Sequence, residues 1–178
     1  VPRLRSADKS PLGGGSDLAD AAHSLADRFG PGPVVIGPVV ATLSEAGITT
    51  EAALGGLAAS VAWPAAPRPI NADDLLPERV LAGDDSARAT LVRRCLTPLM
   101  SSSGPLLETL ARYLENGRSL EAAARTLFVH PNTVRYRLRR VCEITGWDPL
   151  DSRESYVLQT ALAVGHLDGK LKHLDMNG

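Results

Sequence analysis

Apolar positions recur at helical spacing along most of this chain, and strand-like runs are few. Leu18, Ala21, Ala22, Leu25, Ala26 and Phe29 share one helical face behind a Ser16 or Asp17 N-cap, and Gly30-Pro31 ends that helix. The run PVVIGPVV (33–40) is β-branched and bounded by proline, which predicts a buried strand with Gly37-Pro38 as a bulge or as its end. Residues 49–63 return to helical spacing, with Thr50 as the N-cap and Pro64, Pro67 and Pro69 as the stop. A short extended piece around 68–71 precedes two further helices, 74–82 and 85–100. The small-residue break Ser101-Ser102-Ser103-Gly104 is the expected boundary between two units.

The second half carries a stronger pattern. Leu106, Leu107, Leu110, Tyr113 and Leu114 share one face of a helix that opens at Pro105 and closes at Asn116-Gly117. Ser119 caps a second helix of about two turns, with Glu121 set against its dipole and Leu120, Ala123, Ala124 and Leu127 turned inward. Phe128, Val129 and His130 make a tight connection, and Pro131 opens a third helix that runs to Thr145 before Gly146. A short helix, a tight turn and a longer helix make a helix-turn-helix. In the third helix Val134, Leu138 and Val141 define the buried stripe. An advance of about 100° per residue then places Asn132, Tyr136 and Arg139 on the opposite face, with Thr133, Arg135 and Arg140 beside it. A fourth helix, 152–166, sets Tyr156, Leu158, Ala161 and Leu162 against the bundle.

The expected fold is therefore mainly α. A C-terminal helix-turn-helix bundle of about four helices occupies 101–178, and a small, truncated α+β domain occupies 16–100. One clear strand and one doubtful one are too few for a sheet domain, so the chain reads as the C-terminal piece of a longer protein. Residues 1–15, with Pro2, Pro11 and Gly13 to Gly15, read as a flexible leader.

Composition narrows the chemistry. With 178 residues, 44% apolar and 22% charged, the chain has the makings of one or two folded domains. No apolar run approaches the roughly 18 residues that cross a bilayer, and the N-terminal stretch lacks a signal-peptide core, so a cytoplasmic protein without membrane insertion is expected. Cys95 and Cys142 form no CxxC pair, and His23, His166 and His173 are dispersed, so no metal site is expected. Ser6 and Lys9 match an SxxK spacing only by chance, and GPGPVVIGP (30–38) lacks the pattern of a phosphate loop. Without a clustered acid, base or nucleophile, neither enzymatic activity nor a cofactor is expected.

The net charge of -1 is uninformative, but its distribution is not. From Phe128 to Cys142 there are four arginines (Arg135, Arg137, Arg139, Arg140), His130 and no carboxylate. A merely solvated helix face would mix both signs, whereas a phosphate-binding face would not. An arginine on such a face can bond bidentately to guanine and Asn132 to adenine, while the Thr133 hydroxyl or the first-turn amides suit phosphate. Three assignments stay open: Arg140 reaches phosphate or pairs with Glu143, Arg137 reads outward or packs at the edge of the buried stripe, and His130 contacts DNA or only caps the helix.

The segment LLETLARYLENG, the stretch HPNTVRYRLRR (130–140) and the turn GWDPLD resemble the C-terminal DNA-binding domain of PucR/CdaR-type bacterial transcription regulators, over about 105–167. Where many helix-turn-helix motifs have glycine in the turn this chain has Phe128, in keeping with that family's own pattern. The resemblance implies a helix-turn-helix similar to that of the nucleoid protein Fis, with DNA-reading positions at His130, Asn132, Thr133, Arg135, Tyr136 and Arg139. It also implies a preceding degenerate GGDEF-like domain. Residues 16–100 look like the latter half of one, although no GGDEF motif is present, so cyclase activity is not implied. The expected function is sequence-specific binding of double-stranded DNA in transcription regulation. One helix covers only a few base pairs, so a homodimer is expected. The rival expectation is a ligand- or nucleotide-sensing regulatory module, its effector unknown, whose basic helix contacts a protein partner.

Overall fold

A computed structural model of the chain describes residues 20–21 and 24–171. The expected leader, the Ser16 or Asp17 cap, His23 and His173 lie outside the described residues. Among the described residues the structure is mainly helical and divides into two compact units, one ending at Gly83 and the other beginning at Asp84.

In the first unit, helical backbone at 20–21 and 24–26 leads to a turn held by the Arg68 guanidinium. Nε of Arg68 donates to Gly32 O (2.8 Å), and Nη2 donates to the carbonyls of Ala26, Phe29 and Gly30 at 2.9–3.1 Å. Strand β1 (Val35–Ile36) pairs in parallel with β2 (Ile70–Asn71). Only two residues of the expected strand 33–40 join the ladder, because the flanking prolines have no N–H to contribute.

Between the strands runs helix α1 (Ala46–Ala59), continued by a 3-10 turn, Ser60–Ala62. Thr50 is not its N-cap, as the sequence suggested. A capping box of Thr42 and Glu45 starts a 3-10 turn (Leu43–Glu45) one turn earlier, and Thr50 Oγ1 donates within the helix to Ala46 O (3.1 Å). Ala52, Gly56 and Ala59 are the buried face of α1, and Gly56 lies against Val35 so closely that a Cβ there would sit 2.8 Å from its Cγ1. After β2 comes a 3-10 turn, Ala72–Leu75, which passes into α2 (Leu76–Leu81); Ile70, Ala72, Leu75 and Leu76 complete the small core.

The second unit opens with α3 (Asp85–Leu91), whose N-cap Asp84 accepts from Ala87 N at 3.0 Å. A wider π turn, Val92–Leu96, carries the chain into α4 (Thr97–Met100). Then follow α5 (Leu106–Glu115), α6 (Leu120–Thr126), α7 (Pro131–Thr145) and α8 (Ser152–Leu167). The expected boundary at 101–104 therefore falls inside this unit. Leu91, Cys95, Leu96 and Leu99 are buried, and a Cβ on Gly165 of α8 would lie 2.7 Å from Leu96 Cδ1, so residues 85–100 share a core with α8. Tyr156 is exposed rather than packed inward, its ring lying 5.5 Å from the Arg153 guanidinium, while Val157, Leu158, Ala161 and Leu162 fill the core.

Candidate nucleic-acid interface

Helices α6 and α7 and the turn between them form the expected helix-turn-helix. Ser119 Oγ accepts from Ala122 N (3.2 Å) to start α6, and Ala123 and Ala124 are buried where α6 crosses α7, small enough for the backbones to approach. The connecting turn holds Phe128 at φ 54, a left-handed conformation usually reserved for glycine, with its ring 94% exposed. Helix α7 begins with Pro131 at N1 and ends at Gly146, whose φ of 78 lets its N–H return to Cys142 O at 2.7 Å.

The stripe Val134, Leu138 and Val141 is buried to within 1% of completely. The opposite face is open: Asn132, Arg135, Tyr136, Arg139 and Arg140 are exposed and Thr133 is half-buried on the side of the helix away from the stripe, while His130, also exposed, caps its N-terminus.

Their local partners differ. Nδ1 of His130 accepts from Asn132 N at 3.2 Å, so the histidine is the N-cap, and the N–H of its neutral form resides on Nε2. The Thr133 amide bonds to His130 O at 2.9 Å, so these two first-turn amides are engaged and the outward donors here are side chains. Arg135 Nη1 donates to Asn132 Oδ1 (2.8 Å), joining the two residues with the strongest base-reading chemistry. Arg140 pairs with Glu143, the second of its two sequence alternatives. Arg139 makes no hydrogen bond or ion pair with another described residue and presents its full charge to solvent.

Arg137 takes its packing alternative: half-buried, it donates from Nη1 to Thr109 Oγ1 in α5 at 3.2 Å. Sequence reasoning left Thr109 unmarked, although a threonine among the inward positions of α5 was a signal that something polar would meet it. The turn GWDPLD anchors the far end of α7. Trp147 is buried with the Arg94 guanidinium 4.8 Å from its ring centroid, and the burial of Tyr113 in α5 raises its phenol pKa above the usual value.

This architecture coincides with a known domain: the model for the PucR C-terminal helix-turn-helix domain matches residues 106–164. Over those residues the chain is similar to a PucR-type helix-turn-helix domain. An uncharacterized protein of Mycobacterium tuberculosis is 47% identical over 149 residues, covering 84% of this chain and 36% of that protein. The DNA-binding transcriptional activator AdeR of Bacillus subtilis is 31% identical over 71 residues, 40% of this chain and 15% of AdeR. The crystal structure of a regulator of polyketide synthase expression from Bifidobacterium adolescentis superposes with a TM-score of 0.71 at 43% identity, over 77% of this chain and 55% of that one. The chain thus spans about a third of the mycobacterial relative. Among the described residues no helix is long and apolar enough to cross a membrane, and no three His, Cys, Asp or Glu side chains gather as a metal site.

Proposed function

We propose that the chain is the DNA-reading part of a cytoplasmic transcription regulator that binds duplex DNA sequence-specifically as a homodimer. Helix α7 enters the major groove. Asn132, Thr133, Arg135, Tyr136 and Arg139 face bases and adjacent phosphates, while His130 Nε2–H and Arg140 contact the backbone. The observation that carries this reading is the exposed face of α7, bearing six of the polar, cationic or aromatic candidates opposite a fully buried stripe with His130 at its N-cap, within residues that match the PucR-type domain. The unit ending at Gly83 is the latter part of a GGDEF-like domain; the parallel β1–β2 pair with a helix between its strands supports that assignment. It serves as a scaffold or sensor and not as a cyclase, and its effector is a small molecule of a class still to be found.

Selection of binders from a random duplex pool, followed by anisotropy at several salt concentrations, tests the reading. A palindromic or repeated consensus is expected, and Arg135→Ala and Asn132→Ala should lose discrimination while keeping weak, salt-dependent binding. Absence of enrichment and of binding at low salt would overturn it in favour of a protein partner for the basic face.

A further inference from the structure

The fixed acceptors on the exposed face of α7 are used within the helix itself. Nδ1 of His130 takes the Asn132 N–H at 3.2 Å, and Oδ1 of Asn132 takes an N–H of Arg135 Nη1 at 2.8 Å. Glu143, the carboxylate of α7, is paired with Arg140. What the face turns outward is therefore almost all donor. Arg135 keeps its Nε–Nη2 edge, Asn132 its Nδ2 hydrogens and His130 its Nε2–H, and Arg139 has its whole guanidinium free of other described residues. The Thr133 and Tyr136 hydroxyls, which rotate to donate or accept, are the remaining side-chain groups of this face able to receive a hydrogen bond. Of the four bases, guanine alone shows the major groove two acceptors, N7 and O6, and no donor. Adenine and cytosine each present an amino group that must find an acceptor, and thymine offers a guanidinium fork one oxygen where it can bind two.

We propose that the half-site read by α7 is built on guanine: Arg135 and Arg139 each take one guanine, and Asn132 positions Arg135 instead of reading adenine, a refinement that rests on the DNA-reading assignment above. Adenine readout by Asn132 needs Oδ1 to accept from the N6 amino group while Nδ2 donates to N7. An amino group reaching Oδ1 would lie against the guanidinium already bound there, donor beside donor. The same bond restrains the Arg135 side chain, so part of the rotamer freedom it would give up on the DNA is already gone. Arg139 stands one helical turn beyond Arg135 on the same face. That is about 6 Å along the axis, against about 3.4 Å between successive bases of a strand. The two guanines therefore fall within about three successive base pairs, on one strand or divided between both.

The 178-residue chain is titrated by fluorescence anisotropy against the duplex enriched from the random pool and against copies with single base replacements. In one set a guanine becomes 7-deazaguanine, which lacks the N7 acceptor; in another it becomes hypoxanthine, which keeps N7 and O6 and lacks only the minor-groove amino group. Two guanines within about three successive base pairs should each lose roughly fivefold or more in affinity on 7-deaza replacement and little on hypoxanthine replacement. Arg135→Ala should abolish that sensitivity at one of them and Arg139→Ala at the other. Both variants should keep the salt-dependent binding of an unrelated duplex, which shows that they fold. Asn132→Ala should reduce the N7 effect at the Arg135 guanine, and 7-deazaadenine in the same base pairs should change nothing. Indifference to 7-deazaguanine throughout, or a loss with 7-deazaadenine that Asn132→Ala removes, would overturn the guanine assignment. A pool with no enriched duplex and no binding at low salt would instead overturn the DNA-reading assignment beneath it.

Discussion

Arg137 donates from Nη1 to the Thr109 hydroxyl across 3.2 Å, tying the middle of α7 to α5. Thr109 is fully buried and spends its own proton on Pro105 O (2.6 Å), so only its lone pairs face the guanidinium. Thr109→Val keeps the shape and removes the acceptor. We expect a loss of about 1–3 kcal/mol of stability, measured by urea denaturation. Operator affinity should fall without any change in the consensus, because Arg137 holds the helix and reads no base.

The Arg135–Asn132 hydrogen bond predicts coupled readout. Arg135→Ala should cost about 1–3 kcal/mol of discrimination at its base pair. Asn132→Ala, by releasing Arg135, should weaken selectivity at the same position. In a double-mutant cycle on cognate and mismatched duplexes the two effects should be clearly less than additive. Strict additivity would mean that each residue reads alone.

Much of this was legible beforehand where the signals were local. Pro131, Gly146 and the stripe at Val134, Leu138 and Val141 marked α7 to the residue, and Ser119 marked the start of α6. What was not legible depended on contacts between distant segments. Residues 85–100 look like the end of the first unit until Leu96 is seen against Gly165, and Tyr156 looks inward-facing until α8 is set in place. Thr50 had the chemistry of a cap but lost to Thr42, which together with Glu45 satisfies two backbone groups at once.

Phe128 gives a prediction of opposite sign. A non-glycine residue in the left-handed region costs about 1–2 kcal/mol, and a ring 94% exposed returns almost no packing. Phe128→Gly should raise the thermal midpoint of the free protein, less whatever the added chain entropy takes back. A lowered midpoint would show that the ring finds a partner in solution.

Asp168, just past α8, receives hydrogen bonds from Arg88 of α3 and from Lys170 Nζ (3.0 Å). The Arg88 bond first, then that of Lys170, holds its carboxyl below the usual pKa. Because the folded value is the lower one, the stabilisation is fully present above the unfolded pKa of about 4. It is lost as pH falls through the folded value. Asp168→Asn should therefore be less stable than wild type at neutral pH, by a small margin for so exposed a pair, and the two should converge in acid. Urea midpoints measured across that range check it.

The Arg94 guanidinium above Trp147 bears on where this protein can be cut. A fragment starting at the serine cluster would contain every residue of the helix-turn-helix match yet leave the indole without its cover and Gly165 without Leu96. Such a piece would expose a greasy seam and tend to aggregate, whereas one starting at Asp84 carries its own cap and its own lid. The smallest portable reading head is thus some twenty residues longer than the motif that defines it.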